Sequence, residues 1–423
     1  MVRAQALGLL VLIVGLFAAA CASGGDAGVR TEGQAPLPAT ARGGEMRGIW
    51  VTRWDYRTEA DVRRVIEQAA SIGATDVFWQ VRGQFDAFYR SSLEPWGQEL
   101  FFDRKAEYAR DPARADPGFD PLATAVEAAR ARGVRLHAWV NVFPMWRGKT
   151  APVDPRHPLN RNPGWRLHND KNEPQPFNDH YVVANPTDPQ VQDHIVRVCA
   201  DIVTRYRVDG LHLDYVRFVS DALDPKHLYP GDAASLARYT RATGRTQVQS
   251  TQERAAYGDW IRSEITKVVT RIKTEAVAAR PGVVLTAAVW RRPELARDRF
   301  FQDAAAWMNS GVLDRGMPMI YTPELAQWTD DLKAWRAASP RANMTPGMGI
   351  YMHTRPEQMI EQASAAAEAN CSGVAVFAYS SMFDSVDPNQ DKSARESALR
   401  AMRRTTMQRL WSAGSADAGT GGR

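Results

Sequence analysis

Side chains two apart on an extended segment share a face, and four stretches of this chain place polar groups at that spacing. His212 and Asp214 alternate in GLHLDYVRF, with Tyr215 and Arg217 close behind. His137, Trp139 and Asn141 alternate in RLHAWVN, Phe78, Gln80 and Arg82 in DVFWQVR, and Trp50, Thr52 and Trp54 in GIWVTRWD. Gathering His212, Asp214, Gln80, Arg82, His137 and Asn141 in one place is costly unless they have partners or a ligand. An ion pair between Arg82 and Asp214 would account for two of them. The full set describes a polar cleft with one carboxylate, Asp214, available for nucleophilic or acid–base work. A metal held by His137, His212 and Asp214 is an alternative, but His-x-Asp is a poor metal signature. No metal and no cofactor is assigned.

These groups need a scaffold that ends its strands at one mouth. Eight apolar runs read as strands: Gly48–Asp55, Asp76–Arg82, Arg135–Asn141, Gly210–Phe218, Val284–Trp290, Arg315–Tyr321, Thr345–Tyr351 and Gly373–Tyr379. Helical periodicity fills the gaps between several of them. Thr58 opens a helix with Val62, Val65, Ile66, Ala69 and Ala70 on one stripe and Gly73 as its stop. Asp120-Pro121 and Asp188-Pro189 each pair an N-cap with proline at the first helical position. Strands alternating with helices call for a parallel sheet, and eight of them close naturally into a (β/α)8 TIM barrel. An open doubly wound sheet is the competing form, but no Gly-rich phosphate turn follows any strand.

In such barrels the chemistry sits where the strands end and in the loops beyond. Here those loops are long. Gly83 to Phe119 carries Phe85, Tyr89, Trp96 and Phe101, and nine prolines lie between Pro144 and Pro189. Trp290, Tyr321, Tyr351 and Tyr379 end or closely follow the last four strands. A rigid, aromatic rim over a barrel mouth suits an extended ligand such as a sugar chain. Asp209 stands at the opposite end of its strand and reads as structural.

Composition narrows the class. With 44% hydrophobic and 24% charged residues, the 423-residue chain can bury a large core. Its net charge of +5 is scattered rather than clustered, which gives no support to nucleic-acid binding. Three cysteines make no disulfide scaffold, and Cys199 and Cys371 read as small buried residues. Residues 1–20 have the positive start and short apolar run of a signal peptide. Leu16-Phe17-Ala18-Ala19-Ala20-Cys21 looks like a lipobox, so Cys21 is expected to be lipidated. Residues 21–44 then form a flexible tether, 45–410 the barrel and 411–423 a disordered tail. A periplasmic, lipid-anchored monomer is expected, with the outer membrane preferred because Ala22 rather than aspartate follows Cys21.

Beyond this residue-level reading, the chain resembles the glycosyl-hydrolase-like family 10 proteins of the bacterial envelope. The resemblance is carried by Arg47-Gly48-Ile49-Trp50-Val51-Thr52, Gln80-Val81-Arg82, Asp86-Ala87-Phe88-Tyr89-Arg90-Ser91 and Pro95-Trp96. It continues through Phe119-Asp120-Pro121-Leu122, His137-Ala138-Trp139-Val140-Asn141 and Asp209-Gly210-Leu211-His212-Leu213-Asp214-Tyr215. It implies a TIM-type barrel acting on a periplasmic polysaccharide, including peptidoglycan glycan strands. The fourth predicted strand is also distantly similar to amylase-type barrels, whose nucleophile falls on Asp214, and to family-18 chitinases, whose acid falls on Val216. Valine cannot donate a proton, which removes the chitinase-type mechanism. Asp214 is the first choice for nucleophile or base and Glu94 for the acid, followed by Asp55 and Glu324, with no spacing that selects among the three acids. The expected substrate-binding set is Trp50, Gln80, Arg82, Asp86, Tyr89, His137, Trp139, Asn141, His212, Tyr215, Arg217, Trp290, Tyr321 and Tyr351. The fifth predicted strand ends in Trp290-Arg291, where an amylase-type acid would stand, so a glycan-binding lipoprotein on a degenerate barrel is the alternative.

Overall fold

The computed structural model describes residues 46–220 and 223–416. The signal peptide, Cys21, the tether and the end of the tail lie outside the described residues. Among the described residues there are ten strands: β1 (Met46–Val51), β2 (Asp76–Arg82), β3 (Arg135–Asn141), β4 (Pro144–Gly148), β5 (Asn178–Val183), β6 (Gly210–Asp214), β7 (Val284–Val289), β8 (Arg315–Ile320), β9 (Gly347–Met348) and β10 (Gly373–Val376). Eight of them close a barrel in the order β1-β10-β9-β8-β7-β6-β3-β2, and every ladder in it is parallel. This is the (β/α)8 architecture expected from the alternation of strand and helix patterns.

Helix boundaries follow local chemistry. Thr58 and Asp61 form a reciprocal capping box at the start of Glu59–Ser71. Asp120 accepts from the amides of Leu122 and Ala123, and Asp188 from that of Gln190, each with proline at the first turn. Gly73 and Gly133 follow their helices at φ of 86° and 66°, where a Cβ would be strained.

Large rings fill the barrel axis, and small residues face them. Trp50, Phe78, Trp139, Met46 and Met317 form an apolar interior cluster with Ala375. A side chain at Gly48 would collide with Phe78, and one at Gly210 with His137. This alternation of bulky and missing side chains lets a narrow barrel close without voids.

Two departures matter for the site. The proline-rich segment after β3 is not irregular throughout: β4 and β5 pair as an antiparallel hairpin. The last helix, Ala394–Ala416, runs past residue 410, with Trp411 buried and its carbonyl accepting from Arg47. Met407, Leu410 and Trp411 are the buried apolar residues of that helix. Among the described residues, no helix is long and apolar enough to cross a membrane.

Candidate active site

The inward-facing side chains form layers from the N-terminal floor to the C-terminal mouth. At the floor, Asp76 binds His137 at 2.8 Å and Arg135 through both oxygens. Burial opposes the Asp76 charge, but these partners hold its pKa down at about 2. His137 is thus a foundation of the barrel rather than a group at its mouth. Asp209 is in the same region, accepting from the Leu136 amide.

In the middle layer, Trp50 Nε1 donates to His212 Nε2 at 3.0 Å, while His212 Nδ1 lies 2.8 Å from the Thr286 hydroxyl. With Nε2 as acceptor, the neutral ring carries its proton on Nδ1 and donates to Thr286. Burial, then the neighbouring His137, pushes the His212 pKa well below its usual value. Both nitrogens are committed, so His212 and Trp50 are core packing with a satisfied polar pair. Both are buried, Trp50 packing against the ring of Phe377 with centres 6.2 Å apart, and His137, His212 and Asp214 do not converge as metal ligands. Among the described residues, no group of three or more His, Cys, Asp or Glu is arranged to hold a metal ion.

The register of β2 shifts between Gln80 and Arg82, which pair with Trp139 and Val140 respectively. This bulge breaks the two-residue alternation. Gln80 stays inward and accepts from the Arg53 amide at 3.0 Å. Arg82 turns outward with Val140 and binds Glu94, which also meets His194 of the helix Pro189–Arg205 at 2.8 Å. Arg82 donates further to the carbonyls of Asn141 and Val142. Burial opposes the Glu94 charge, yet Arg82 and His194 hold its pKa down at about 2. A general acid must keep its proton near working pH. Glu94 is therefore the counter-ion of Arg82 in the shell between barrel and helices, not the acid. Tyr89 is buried in the same shell, edge-on to Tyr206.

The mouth itself is built from what remains. Asp214 ends β6, only 6% exposed, and its Oδ1 accepts from the Tyr215 amide at 2.6 Å. Tyr215 takes φ of 49°, a left-handed conformation in a non-glycine residue. Arg217 approaches the same oxygen at 3.4 Å, its guanidinium 4.1 Å from the Tyr215 ring centre and 5.1 Å from that of Trp290. Burial raises the Asp214 pKa, and Arg217 and the Tyr215 amide pull against that rise. Trp139 Nε1 donates to Asn141 Oδ1, and Asn141 in turn donates to the Gly83 carbonyl, tying β3 to the end of β2.

Opposite Asp214 is an aromatic wall. Tyr321 stacks on Phe377 with ring centres 5.4 Å apart, and Tyr351 meets both rings edge-on at 6.3 Å. Burial, then the nearby Asp214 charge, pushes the Tyr321 phenol upward. Phe377 had no place in the expected site because its strand read as a uniform apolar run.

Burial raises the pKa of two further carboxyls, Asp55 and Asp86. Asp55 accepts from the amide and hydroxyl of Thr52 through Oδ2, and its buried Oδ1 has no partner. Burial raises its pKa to about 6. Asp86 accepts from the amides of Gly83 and Gln84, and burial followed by the Glu99 charge raises it to about 7. Glu324, the remaining candidate acid, is exposed at the start of the helix Leu325–Ala338.

Residues 45–367 match the family model described as Glycosyl hydrolase-like 10. The chain belongs to this family. It is a glycoside hydrolase, acting on glycans, and the family resemblance seen in the strand motifs is thereby established. Glycosyl hydrolase DigH of Escherichia coli K12 is 26% identical over 355 residues, covering 74% of this chain and 75% of the relative. Glycosyl hydrolase YngK of Bacillus subtilis is 23% identical over 306 residues, covering 66% of this chain and 54% of the relative. Among solved structures, the PgaB (BpsB) glycoside hydrolase domain of Bordetella bronchiseptica superposes with a TM-score of 0.58 at 12% identity. That match spans 85% of this chain and 98% of the domain. The catalytic domain of a Paenibacillus polymyxa β-amylase gives 0.51 at 9% identity, over 86% and 99%. At such identities these two neighbours speak for the shared barrel alone. The polar floor, the aromatic core and the Arg82–Glu94 shell are buried and paired within the barrel and its casing, whereas Asp214 ends its strand at the C-terminal face.

Proposed function

We propose that this glycoside hydrolase is a lipid-anchored envelope enzyme that cleaves peptidoglycan glycan strands by carboxylate chemistry centred on Asp214. The observation that carries the reading is the setting of Asp214. It is an acidic side chain at the C-terminal end of a barrel strand, beside Arg217 and facing the Tyr321–Phe377–Tyr351 wall. Sugar rings stack their C–H faces on such walls while polar groups hold their hydroxyls.

In this scheme Asp214 acts as nucleophile or base. Its ionised form is supported by Arg217 and the Tyr215 amide. Asp55, which follows β1 and whose pKa burial raises to about 6, is the carboxyl that supplies the proton to the leaving oxygen in this scheme. Arg217, fixed between two aromatic faces, orients the Asp214 carboxylate, and it is that carboxylate whose negative charge faces the developing oxocarbenium-like centre. The envelope location rests on the signal-like segment and Cys21 of the sequence. A peptidoglycan substrate is favoured by that location together with the aromatic wall beside Asp214.

The test is a digest of undecorated and peptide-bearing glycan strands followed by mass spectrometry, wild type against Asp214→Asn. Shortened strands from the wild type alone are expected. Equal cleavage by Asp214→Asn would remove Asp214 from the mechanism, and wild-type cleavage of other envelope glycans only would remove peptidoglycan. Metabolic labelling with palmitate, wild type against Cys21→Ala, checks the anchor.

A further inference from the structure

A second polar cluster lies on the β1–β2 side of the mouth, away from Asp214, and its bonding is incomplete. Arg53, 1% exposed, follows β1 and donates through Nε to Glu99 at 3.0 Å. Its guanidinium carbon stands 4.0 Å from the centre of the half-buried Trp54 ring. Neither terminal nitrogen, Nη1 nor Nη2, completes a well-aligned hydrogen bond among the described residues, although the Tyr181 side chain lies within reach of the guanidinium. Asp86 Oδ2 and Glu99 Oε2 are also buried without partners.

These groups share one neighbourhood. Burial works against the Arg53 charge, but Tyr181, Glu99 and Asp86 outweigh it and raise its pKa. Burial and the Glu99 charge raise Asp86 in the same way. Gly83 makes the room, since a side chain there would collide with the Arg53 guanidinium. Tyr181 on β5 ties the cluster to the catalytic side, its ring meeting that of Tyr215 at 5.1 Å.

Leaving buried donors and acceptors unpaired is costly, and several of both kinds gathered in one place are complementary to a ligand that both donates and accepts. Two free guanidinium donors opposite two free carboxyl oxygens form a mixed set. A bare anion would meet Asp86 and Glu99, and a bare cation would meet Arg53. A pair of neighbouring hydroxyls matches the set, accepting from Arg53 and donating to the carboxyls. Glu99, whose side chain is 14% exposed, and the half-buried Trp54 give the cluster its contact with solvent.

We propose that Arg53, Glu99 and Asp86, with Trp54 beside them, form a distal saccharide subsite that grips a vicinal hydroxyl pair of a sugar unit remote from the cleaved bond. The inference rests on the glycan-cleaving reading above and adds to it how chain length is sensed. A strand long enough to reach from Asp214 to Arg53 gains contacts that a short oligosaccharide lacks. The subsite binds the ground and transition states alike, so its loss acts on KM.

The experiment uses the full chain with a ladder of undecorated glycan oligosaccharides, wild type against Glu99→Gln, Arg53→Met and Asp214→Asn. Thermal melting selects the variants that fold. Glu99→Gln keeps the shape of the site, so it serves if Arg53→Met does not fold. The expected result is a tenfold or greater rise in KM for long oligosaccharides, with kcat and the kinetics of the shortest cleavable one unchanged. Binding to Asp214→Asn should strengthen with length, and the double variant with Glu99→Gln should lose that dependence. Equal losses at every length, or none at any, overturn the subsite. If the wild type cleaves no glycan, the hydrolytic reading fails separately, and saturable binding lost in Glu99→Gln still decides the subsite.

Discussion

The guanidinium of Arg82 and the carboxylate of Glu94 meet at 2.7 Å with neither side chain exposed to solvent. A pair so enclosed is costly to break, because removing one partner strands the other. Glu94→Gln is expected to destabilise the fold by about 3–5 kcal/mol at neutral pH. The folded pKa of about 2 lies below the ordinary 4.5, so this stabilisation is present above pH 4.5 and fades as pH falls toward 2. Urea titrations of wild type and variant at pH 7 and pH 3 check both statements. The folded fraction of the variant should keep its kcat, since Glu94 does no chemistry.

Asp214→Asn is expected to lower kcat by at least a thousandfold while oligosaccharide affinity changes less than about threefold, as for loss of a group acting only in the transition state. Isothermal titration with the inactive variant and product analysis with the wild type measure the two sides. Turnover within tenfold of wild type would refute the assignment.

The pH profile should be a bell on the acidic side of neutrality. Activity requires ionised Asp214 and so falls as pH drops through its raised pKa. It also requires protonated Asp55, and is lost as pH climbs through about 6. In Asp55→Asn the alkaline limb should disappear together with most of the rate. A limb that stays near pH 6 in that variant would transfer the acid role elsewhere, with Asp86 next in line at about 7.

The same substitution should stabilise the protein. Asp55 is raised from 3.8 to about 6 on folding, so its ionisation works against the fold increasingly from pH 3.8 to 6 and by a constant amount above. Asn can accept both Thr52 bonds without that charge. A gain of up to roughly 3 kcal/mol at pH 7 is expected, vanishing below pH 3.8. Chemical denaturation at pH 7 and pH 3.5 reads the difference.

His212→Leu should remove a core hydrogen-bond pair rather than a ligand. Trp50 and Thr286 would lose their partner, costing about 2–4 kcal/mol in stability. Chelators should leave wild-type activity unchanged. Inhibition by chelator, reversed by a divalent ion in wild type but not in His212→Leu, would show a role for the ring in metal binding.

The barrel was legible because its signals are local. Apolar runs marked all eight barrel strands, and Thr58, Asp120 and Asp188 cap helices where their side chains predict. Asp214 was legible as a carboxylate ending a strand. Its neighbours were harder, since alternation tells which residues share a face but not which height in the barrel they occupy. His137, His212 and Asp214 share an inward face, yet the first binds Asp76 at the floor and the second Thr286 in the core. Arg53 was missed because its strand was read as continuing to Asp55, whereas β1 ends at Val51. Tyr181 was missed because prolines on either side masked the hairpin; the alternation within NDHYVV was the available sign.

The register shift in β2 sorts polar residues between two jobs. With strict alternation, Arg82 would share the lumen with Gln80, and its charge would stand in the substrate cleft. One extra residue of backbone sends that cation to the helical layer instead, where Glu94 and His194 lock it in place. The same strand therefore offers a neutral amide to the cleft and a charge to the casing around it. Shortening β2 by that residue would redraw the electrostatics of the opening without altering a single side chain there.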